Sequence, residues 1–173
     1  LDPGRNPGWT EAMVEAELRN RLGVESVVWL ERGLTRDYET FGTRGHVDIV
    51  AAFAGPDLVL VHDQRNPEHP DFAVSADVIR TLQSVGRWRI VPVPAPDVLR
   101  DDEGWVDYSY INHYVCNGAV ILCAFDDPKD EVARRILAEC YPDREIVLVD
   151  ARTVFSRGGG IHCITQQQPA PRP

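Results

Sequence analysis

"SYINHYVCNGAVILCAFDDPKDEVARRILAECYPDREIVLVD", residues 109–150, contains a complete strand-strand-helix-strand pattern. Its first two apolar runs flank Asn117-Gly118, a dipeptide typical of two-residue hairpin turns of type I′, because both positions tolerate positive φ. The run KDEVARRILAECY then predicts a helix, and REIVLVD predicts a third strand. The stretch therefore predicts one ββαβ unit.

The same order of elements occurs earlier in the chain. HVDIVAAFA (46–54) and LVLVH (58–62) predict two strands, and a helix follows through SADVIRTLQSVG with Ser75 as its N-cap. WRIVPVPAP (88–96) returns as a strand, and its prolines either place it at a sheet edge or end it early. Two similar units indicate modules of a larger array. A single open α/β sheet with mixed strands is the alternative.

Two further elements are predicted before the first unit. Thr10 is a suitable N-cap for a helix through EAMVEAELRNRLG, where Gly23 supplies the stop. SVVWL (26–30) predicts a strand because it is short, apolar and rich in β-branched residues.

Composition restricts the class of protein. With 173 residues, 43% hydrophobic and 26% charged, the chain resembles an ordinary soluble domain. The net charge of −9 argues against nucleic-acid binding and weakly favours a cationic small-molecule partner. No apolar run approaches the roughly 20 residues that cross a bilayer, so we expect a cytoplasmic protein without a membrane partner. Because the sequence opens with Leu1 and not Met, we also expect a piece of something longer.

Cysteine spacing predicts reduced thiols. Cys116, Cys123, Cys140 and Cys163 contain no CxxC pair, which argues against a disulfide scaffold. The first three are most simply packing residues. Cys163 differs because the glycines at 158–160 and His162 precede it, a setting that suits an accessible nucleophile as well as an idle loop thiol.

Polar residues elsewhere offer further candidates. On a strand, His46 and Asp48 would project from one face and could combine proton transfer with recognition of a cation, or simply form a solvated strand end. In YINHY, Asn112 would lie opposite a face of tyrosines and either hold the hairpin or line a site. His62 and His69 border a proline-rich loop and are predicted to be surface or structural groups.

A structural zinc is a minority alternative. The soft ligands available for it are His113, Cys116, Cys123, His162 and Cys163. None of them shows a zinc-finger spacing.

GHVDIVAAF, the stretch from YSYINHYVC to ARRIL, YPDREIVLVDAR and GGGIHCITQQQP resemble, in order and spacing, the C-terminal half of agmatine deiminases, within the wider peptidylarginine deiminase group. The resemblance implies an α/β pentein fold, a propeller of five ββαβ units, of which this chain would hold about two to three. It also implies that residues 1–173 are the C-terminal portion of one catalytic domain. On the family's pattern, Cys163 is the nucleophile, His46 the general acid/base and Asp48 the carboxylate that grips the guanidinium. Asn112 and Gly160 fall at substrate-binding positions.

The activity implied is hydrolysis of agmatine to N-carbamoylputrescine and ammonia through an S-amidino-cysteine intermediate, with no metal or organic cofactor. The complete family chain is about twice as long, and its N-terminal half supplies further site residues, so the fragment alone is expected to be nearly inactive. A homo-oligomer is expected at full length.

Ile49 and the long RDYETFGTRG loop depart from the family pattern. Arginine or peptidylarginine deimination and amidino transfer are the near alternatives, and a non-catalytic amine-binding remnant or a partner subunit are the distant ones.

Overall fold

The computed structural model describes residues 1–169, which form two three-stranded sheets, a short two-stranded ribbon and four α-helices. In chain order these elements are α1 (Glu11–Leu22), β1 (Ala51–Gly55), β2 (Leu58–Asp63), α2 (Asp71–Val85), β3 (Arg89–Pro94), β4 (Arg100–Asp101), β5 (Gly104–Trp105), β6 (Tyr114–Cys116), β7 (Ala119–Ala124), α3 (Lys129–Cys140), β8 (Glu145–Asp150) and α4 (Arg152–Phe155). Among the described residues no helix has the length and apolar character needed to span a membrane.

The two large sheets have the same topology. In the first, β1 pairs antiparallel with β2 and β2 pairs parallel with β3. In the second, β6 pairs antiparallel with β7 and β7 pairs parallel with β8. A parallel pair needs a long crossover, which α2 and α3 provide. The predicted ββαβ order is therefore confirmed in both units, and the alternative of one open sheet is wrong.

The core lies between each central strand and its crossover helix. Along β2, the consecutive residues Val59, Leu60 and Val61 are all buried, so both faces of the strand are covered. The apolar face of α2 packs on one of them. In the second unit α3 contacts β7 and β8 and also reaches β3 of the first unit. This contact joins the two units into one hydrophobic cluster.

Two local predictions, the edge position of β3 and the type of the Asn117-Gly118 turn, have opposite outcomes. β3 carries Pro92 and Pro94 and lies at the edge of its sheet, as predicted. The Asn117-Gly118 turn joins β6 to β7 with Cys116 opposite Ala119. Only Gly118 of this turn has a positive φ, of 76°, so the predicted type I′ geometry is wrong.

The segment before the first unit folds differently from expectation. Thr10 caps α1 by accepting the N–H of Met13 at 3.3 Å, and Gly23 ends the helix with a φ of 68°, as predicted. No residue of α1 is buried, however. Residues 26–30 form no strand, because no neighbouring strand pairs with them. Trp29 instead donates its indole N–H to Glu15 at 3.0 Å.

Three other local predictions are corrected. α2 begins at Asp71, so Ser75 is not its N-cap and instead accepts the backbone N–H of Gln64 at 3.0 Å. The predicted strand over residues 46–54 is a 3-10 turn, Val47–Ile49, followed by β1. The predicted strand from residue 109 begins only at Tyr114, since the five residues before it are buried without strand pairing.

Candidate active site

Three side chains from two distant parts of the sequence surround the sulfur atom of Cys163. Cys163 lies in a 3-10 turn, His162–Ile164, and is exposed. Its Sγ is 3.8 Å from Nδ1 of His46 and 3.5 Å from Oδ2 of Asp48. Asn112 donates its amide N–H to the same sulfur at 3.3 Å. An accessible thiol thus stands beside an imidazole, a carboxylate and an amide donor.

The His46 imidazole is held between two carboxylates. Nδ1 is 2.9 Å from Oδ1 of Asp48, and Nε2 is 3.4 Å from Oδ1 of Asp37. Burial of the ring opposes its charged form, but the contacts with Asp48 and Cys163 and the charge of Asp37 outweigh it and raise the pKa of His46 to about 10. The ring is therefore a cation at neutral pH and carries a proton toward the sulfur.

Asp48 contacts both histidines of the site. Its Oδ2 lies 2.6 Å from Nδ1 of His162, while Oδ1, next to His46, is buried without an aligned hydrogen bond. Burial would raise the pKa of Asp48, but the close contacts with His46 and His162 lower it far below its ordinary range. The carboxylate therefore stays ionised and can attract a cation. His46 and Asp48 meet as predicted, although across a 3-10 turn and not on a strand.

Asp37 is a site residue that the sequence reasoning missed. It is 1% exposed and accepts backbone N–H groups from Thr43 at 2.6 Å and His46 at 3.2 Å, and also from Gly45. The RDYETFGTRG loop therefore folds around its own aspartate. The only sequence signal was a carboxylate nine positions before a histidine in a glycine-containing loop, which does not specify a contact.

Asn112 connects two turns of the site. One is His162–Ile164, the cysteine turn, and the other is Val47–Ile49, which follows His46 and carries Asp48. It is fully buried, and its Oδ1 accepts the backbone N–H of His162 at 2.9 Å. Its Nδ2 donates to the Asp48 carbonyl at 3.3 Å as well as to the sulfur. The predicted alternation of faces in YINHY is wrong because Tyr110, Ile111 and Asn112 are all buried. Asn112 thus lies beside the sulfur and helps to hold the turn of Cys163, and its role in lining a substrate site stays a prediction.

The three glycines allow close packing around the sulfur. A Cβ on Gly159 would lie 3.0 Å from Sγ of Cys163, and one on Gly160 would lie 2.5 Å from both Oδ1 of Asn112 and the Phe155 ring. Gly158 has a φ of 88° and a Cβ there would meet the Phe41 carbonyl. Side chains are thus excluded at Gly158 and Gly160, and a Cβ at Gly159 would press on the Cys163 side chain.

The remaining cysteines and histidines lie away from this cluster or beneath it. Cys116, Cys123 and Cys140 are free and at least half-buried, in keeping with a packing role. His62 and His69 are buried, so a surface role for either is wrong. In the part of the chain that the structure describes, the donor atoms close enough to hold a metal ion belong to His46, Asp48 and Cys163, all within 4.8 Å of one another.

Comparison with known proteins identifies the family. A model of the Porphyromonas-type peptidyl-arginine deiminases matches residues 1–169. A protein of Streptomyces coelicolor provisionally named as an agmatine deiminase is 57% identical over 98% of this chain and 52% of its own length. The agmatine deiminase of Pseudomonas aeruginosa strain LESB58 is 37% identical over 99% of this chain and 52% of its own.

A solved structure agrees with these sequence matches. The agmatine deiminase of Enterococcus faecalis superposes with a TM-score of 0.87 at 29% identity, over 98% of this chain and 51% of that one. The chain spans about half the length of the relatives it matches. A match over nearly every residue places this chain in the Porphyromonas-type peptidyl-arginine deiminase family.

Proposed function

We propose that this chain carries one half of the active site of a hydrolase that removes ammonia from agmatine. The observation that carries the proposal is the convergence of the Cys163 sulfur, the His46 imidazole and the Asp48 carboxylate. The relatives named agmatine deiminase support the substrate, since they match this chain from end to end.

We propose that residues 1–173 form the C-terminal portion of a single catalytic domain. The two ββαβ units would then belong to a five-unit pentein propeller whose other units complete the pocket. On this account the protein is cytoplasmic, a homo-oligomer at full length, and the isolated chain has little activity.

The negative charge of Asp48 would attract the guanidinium group of the substrate. Its ionised carboxylate would hold the planar guanidinium by charge-assisted hydrogen bonds, and the exposed sulfur beside it would face the guanidinium carbon. The nucleophilic form of Cys163 is the thiolate. Asn112 would keep the sulfur in place by its amide N–H.

The first chemical step releases ammonia. The thiolate attacks the guanidinium carbon and forms a C–S bond, giving a tetrahedral adduct with one carbon bonded to sulfur and three nitrogens. The proton on Nδ1 of His46 passes to the departing nitrogen, the C–N bond breaks, and an S-amidino-cysteine remains. A pKa of about 10 keeps His46 charged and ready to donate at neutral pH.

The second step restores the sulfur. Water loses a proton to the now neutral His46 and adds to the amidino carbon. The C–S bond then breaks to release the thiolate, and the new hydroxyl group gives its remaining proton to solvent, which leaves a carbonyl. The product carries an oxygen in place of one nitrogen, which for agmatine is N-carbamoylputrescine. The reaction needs only the substrate and water.

The test uses the protein at its native length with Cys163→Ala. Ammonia release from agmatine should fall to background, whereas Cys116→Ala, which removes a half-buried thiol on β6, should retain it. Mass spectrometry of the wild-type enzyme quenched during turnover should find the amidino adduct on Cys163. Turnover that persists in Cys163→Ala would refute the proposal.

Peptidyl-arginine is the second candidate substrate, since the family model carries that name. Comparing ammonia release from agmatine, free arginine and an arginine-containing peptide decides between them. If kcat/KM is higher for the peptide than for agmatine, peptidyl-arginine becomes the proposed substrate, and the proposed role of Cys163 does not change.

A further inference from the structure

A buried serine connects three segments of the chain near the candidate site. Ser109 has no exposed surface, and its hydroxyl donates to the Ile49 carbonyl at 2.7 Å. The same oxygen accepts the backbone N–H of Ile111 at 3.2 Å, and Nδ1 of His62 lies 3.2 Å from it. One side chain thus joins the turn Val47–Ile49, strand β2 and the segment before β6.

Every hydrogen-bonding position of this hydroxyl group is used. A serine hydroxyl has one proton to donate and two lone pairs that accept. Because the Ile49 carbonyl can only accept, it takes the hydroxyl proton, and the imidazole must then donate its own N–H. Burial lowers the pKa of His62 to about 4, so the ring has a single N–H at neutral pH. The contact with Ser109 places that proton on Nδ1.

Both backbone partners of the hydroxyl are immediate neighbours of site residues. Ile49 follows Asp48, whose carboxylate lies 3.5 Å from the Cys163 sulfur. Ile111 precedes Asn112, whose amide N–H donates to that sulfur at 3.3 Å. A direct hydrogen bond from the Asn112 amide to the Asp48 carbonyl also joins the two, but at 3.3 Å it is longer than the 2.7 Å bond that the serine makes. The serine therefore supplies the shorter connection between the two segments.

Loss of the hydroxyl would remove a partner from three buried groups at once. A carbonyl and two N–H groups would each lose this hydrogen bond, and a buried polar group without a partner is costly. The segments that carry these groups would move to recover partners. A displacement of about 1 Å at a reacting site can cost about 100-fold in rate, so small movements here matter.

We propose that Ser109 and His62 are paired positioning residues, which set the spacing between Asp48 and Asn112 at the sulfur of Cys163. His62 orients the hydroxyl by donating to it, and the hydroxyl holds both backbone segments. Neither residue is assigned a chemical step. The inference rests on the proposed function, because it concerns the groups that surround the same sulfur.

The first test compares Ser109→Ala with Ser75→Ala in the protein at its native length. Ser75 is also buried, and its Oγ accepts a backbone N–H from Gln64 at 3.0 Å, so each variant loses one buried hydroxyl. We expect kcat/KM for agmatine to fall about tenfold or more in Ser109→Ala and to stay within about threefold in Ser75→Ala. Equal losses in the two variants would overturn the inference.

Alkylation separates this inference from the reaction, because it needs no substrate. The rate of iodoacetamide addition to Cys163, followed by mass spectrometry of its peptide, should fall about fivefold or more in Ser109→Ala as the Asn112 amide leaves the sulfur. If agmatine is not turned over but this difference is found, the proposed function fails and the positioning pair stands. Unchanged alkylation in Ser109→Ala would refute the pair even if turnover falls.

His62→Asn and His62→Leu test the donor and also serve if Ser109→Ala does not fold. Nδ2 of an asparagine is as many bonds from the backbone as Nδ1 of a histidine, so it can still donate to the serine hydroxyl, whereas leucine has no N–H. We expect alkylation of Cys163 within about threefold of wild type in His62→Asn and a fall of about fivefold or more in His62→Leu. Equal rates in the two variants would overturn the proposed role of His62.

Discussion

Gly160 lies directly against the side chain of Asn112. A Cβ added to Gly160 would approach Oδ1 of Asn112 to 2.5 Å and the ring of Phe155 equally closely. That oxygen accepts the N–H of His162, the residue that precedes the nucleophile candidate Cys163. The glycine therefore fixes how closely the cysteine turn can approach the asparagine.

Gly160→Ala should displace the cysteine turn. Overpacking of this kind costs about 1–3 kcal/mol of unfolding free energy, and we expect kcat to fall about tenfold or more as Asn112 and Cys163 separate. Thermal unfolding and ammonia release measure the two effects. Gly55→Ala is the control, since its Cβ would meet only Leu58 at 4.0 Å. Equal behaviour of the two variants would contradict the prediction.

Asp37→Asn should weaken the support of His46. The Asp37 charge helps to raise the pKa of His46, so its removal lowers that pKa and moves the alkaline limb of the pH–rate profile to lower pH. We expect kcat/KM to drop at least tenfold at pH 8. Asp77→Asn, on the exposed side of α2, is the control. A lower rate with an unmoved alkaline limb would reduce Asp37 to a purely structural role.

Asn112→Asp separates the hydrogen bond that this side chain accepts from the two that it donates, to the Asp48 carbonyl and to the Cys163 sulfur. The oxygen that accepts from His162 is kept, but the N–H that reaches the Cys163 sulfur is replaced by a negative charge. Loss of such a donor costs on the order of 100-fold in kcat. Alkylation of Cys163 by iodoacetamide should slow in parallel, while Asn117→Asp in the hairpin turn should change neither rate. Unchanged alkylation would show that the amide does not act on the sulfur.

His113 should make the protein sensitive to acid. Burial lowers the pKa of His113 to about 4, so the unfolded chain binds more protons than the folded one between that value and the ordinary value near 6.5. The free energy of unfolding should therefore decrease as pH falls through this window, by up to about 3 kcal/mol. His113→Gln should reduce the slope but not abolish it, because the pKa of His62 is also lowered to about 4. Denaturant titrations at pH 7 and pH 4.5 provide the comparison, and equal slopes in both proteins would refute it.

The repeated ββαβ order could be predicted because its signals are local. Asn117-Gly118 marks a turn and the apolar runs have strand length. The helix of each unit carries apolar residues at helical spacing. The same local reasoning gave a wrong prediction for SVVWL. Its residues favour a strand, but a strand also needs a pairing partner, which residues 26–30 lack.

The site could be predicted only in part. Resemblance indicated Cys163, His46 and Asp48, and the structure brings their side chains together. Asp37 gave no comparable signal, because its significance depends on how its loop folds back and buries the carboxylate beside His46. An aspartate in a polar loop has the same appearance whether it faces solvent or an imidazole.

The prolines of β3 also restrict where another strand can add. Arg89 and Ala95 donate their N–H groups toward β2, so by alternation the backbone nitrogens of Pro92 and Pro94 face away from the sheet. The outer edge of β3 therefore lacks two backbone N–H donors, which disfavours pairing with a further strand. In the second unit Glu145 and Ala151 donate inward, which leaves the N–H groups of Ile146 and Leu148 on the free margin of β8. Of these two corresponding margins, only β8 can recruit a further strand along its full length.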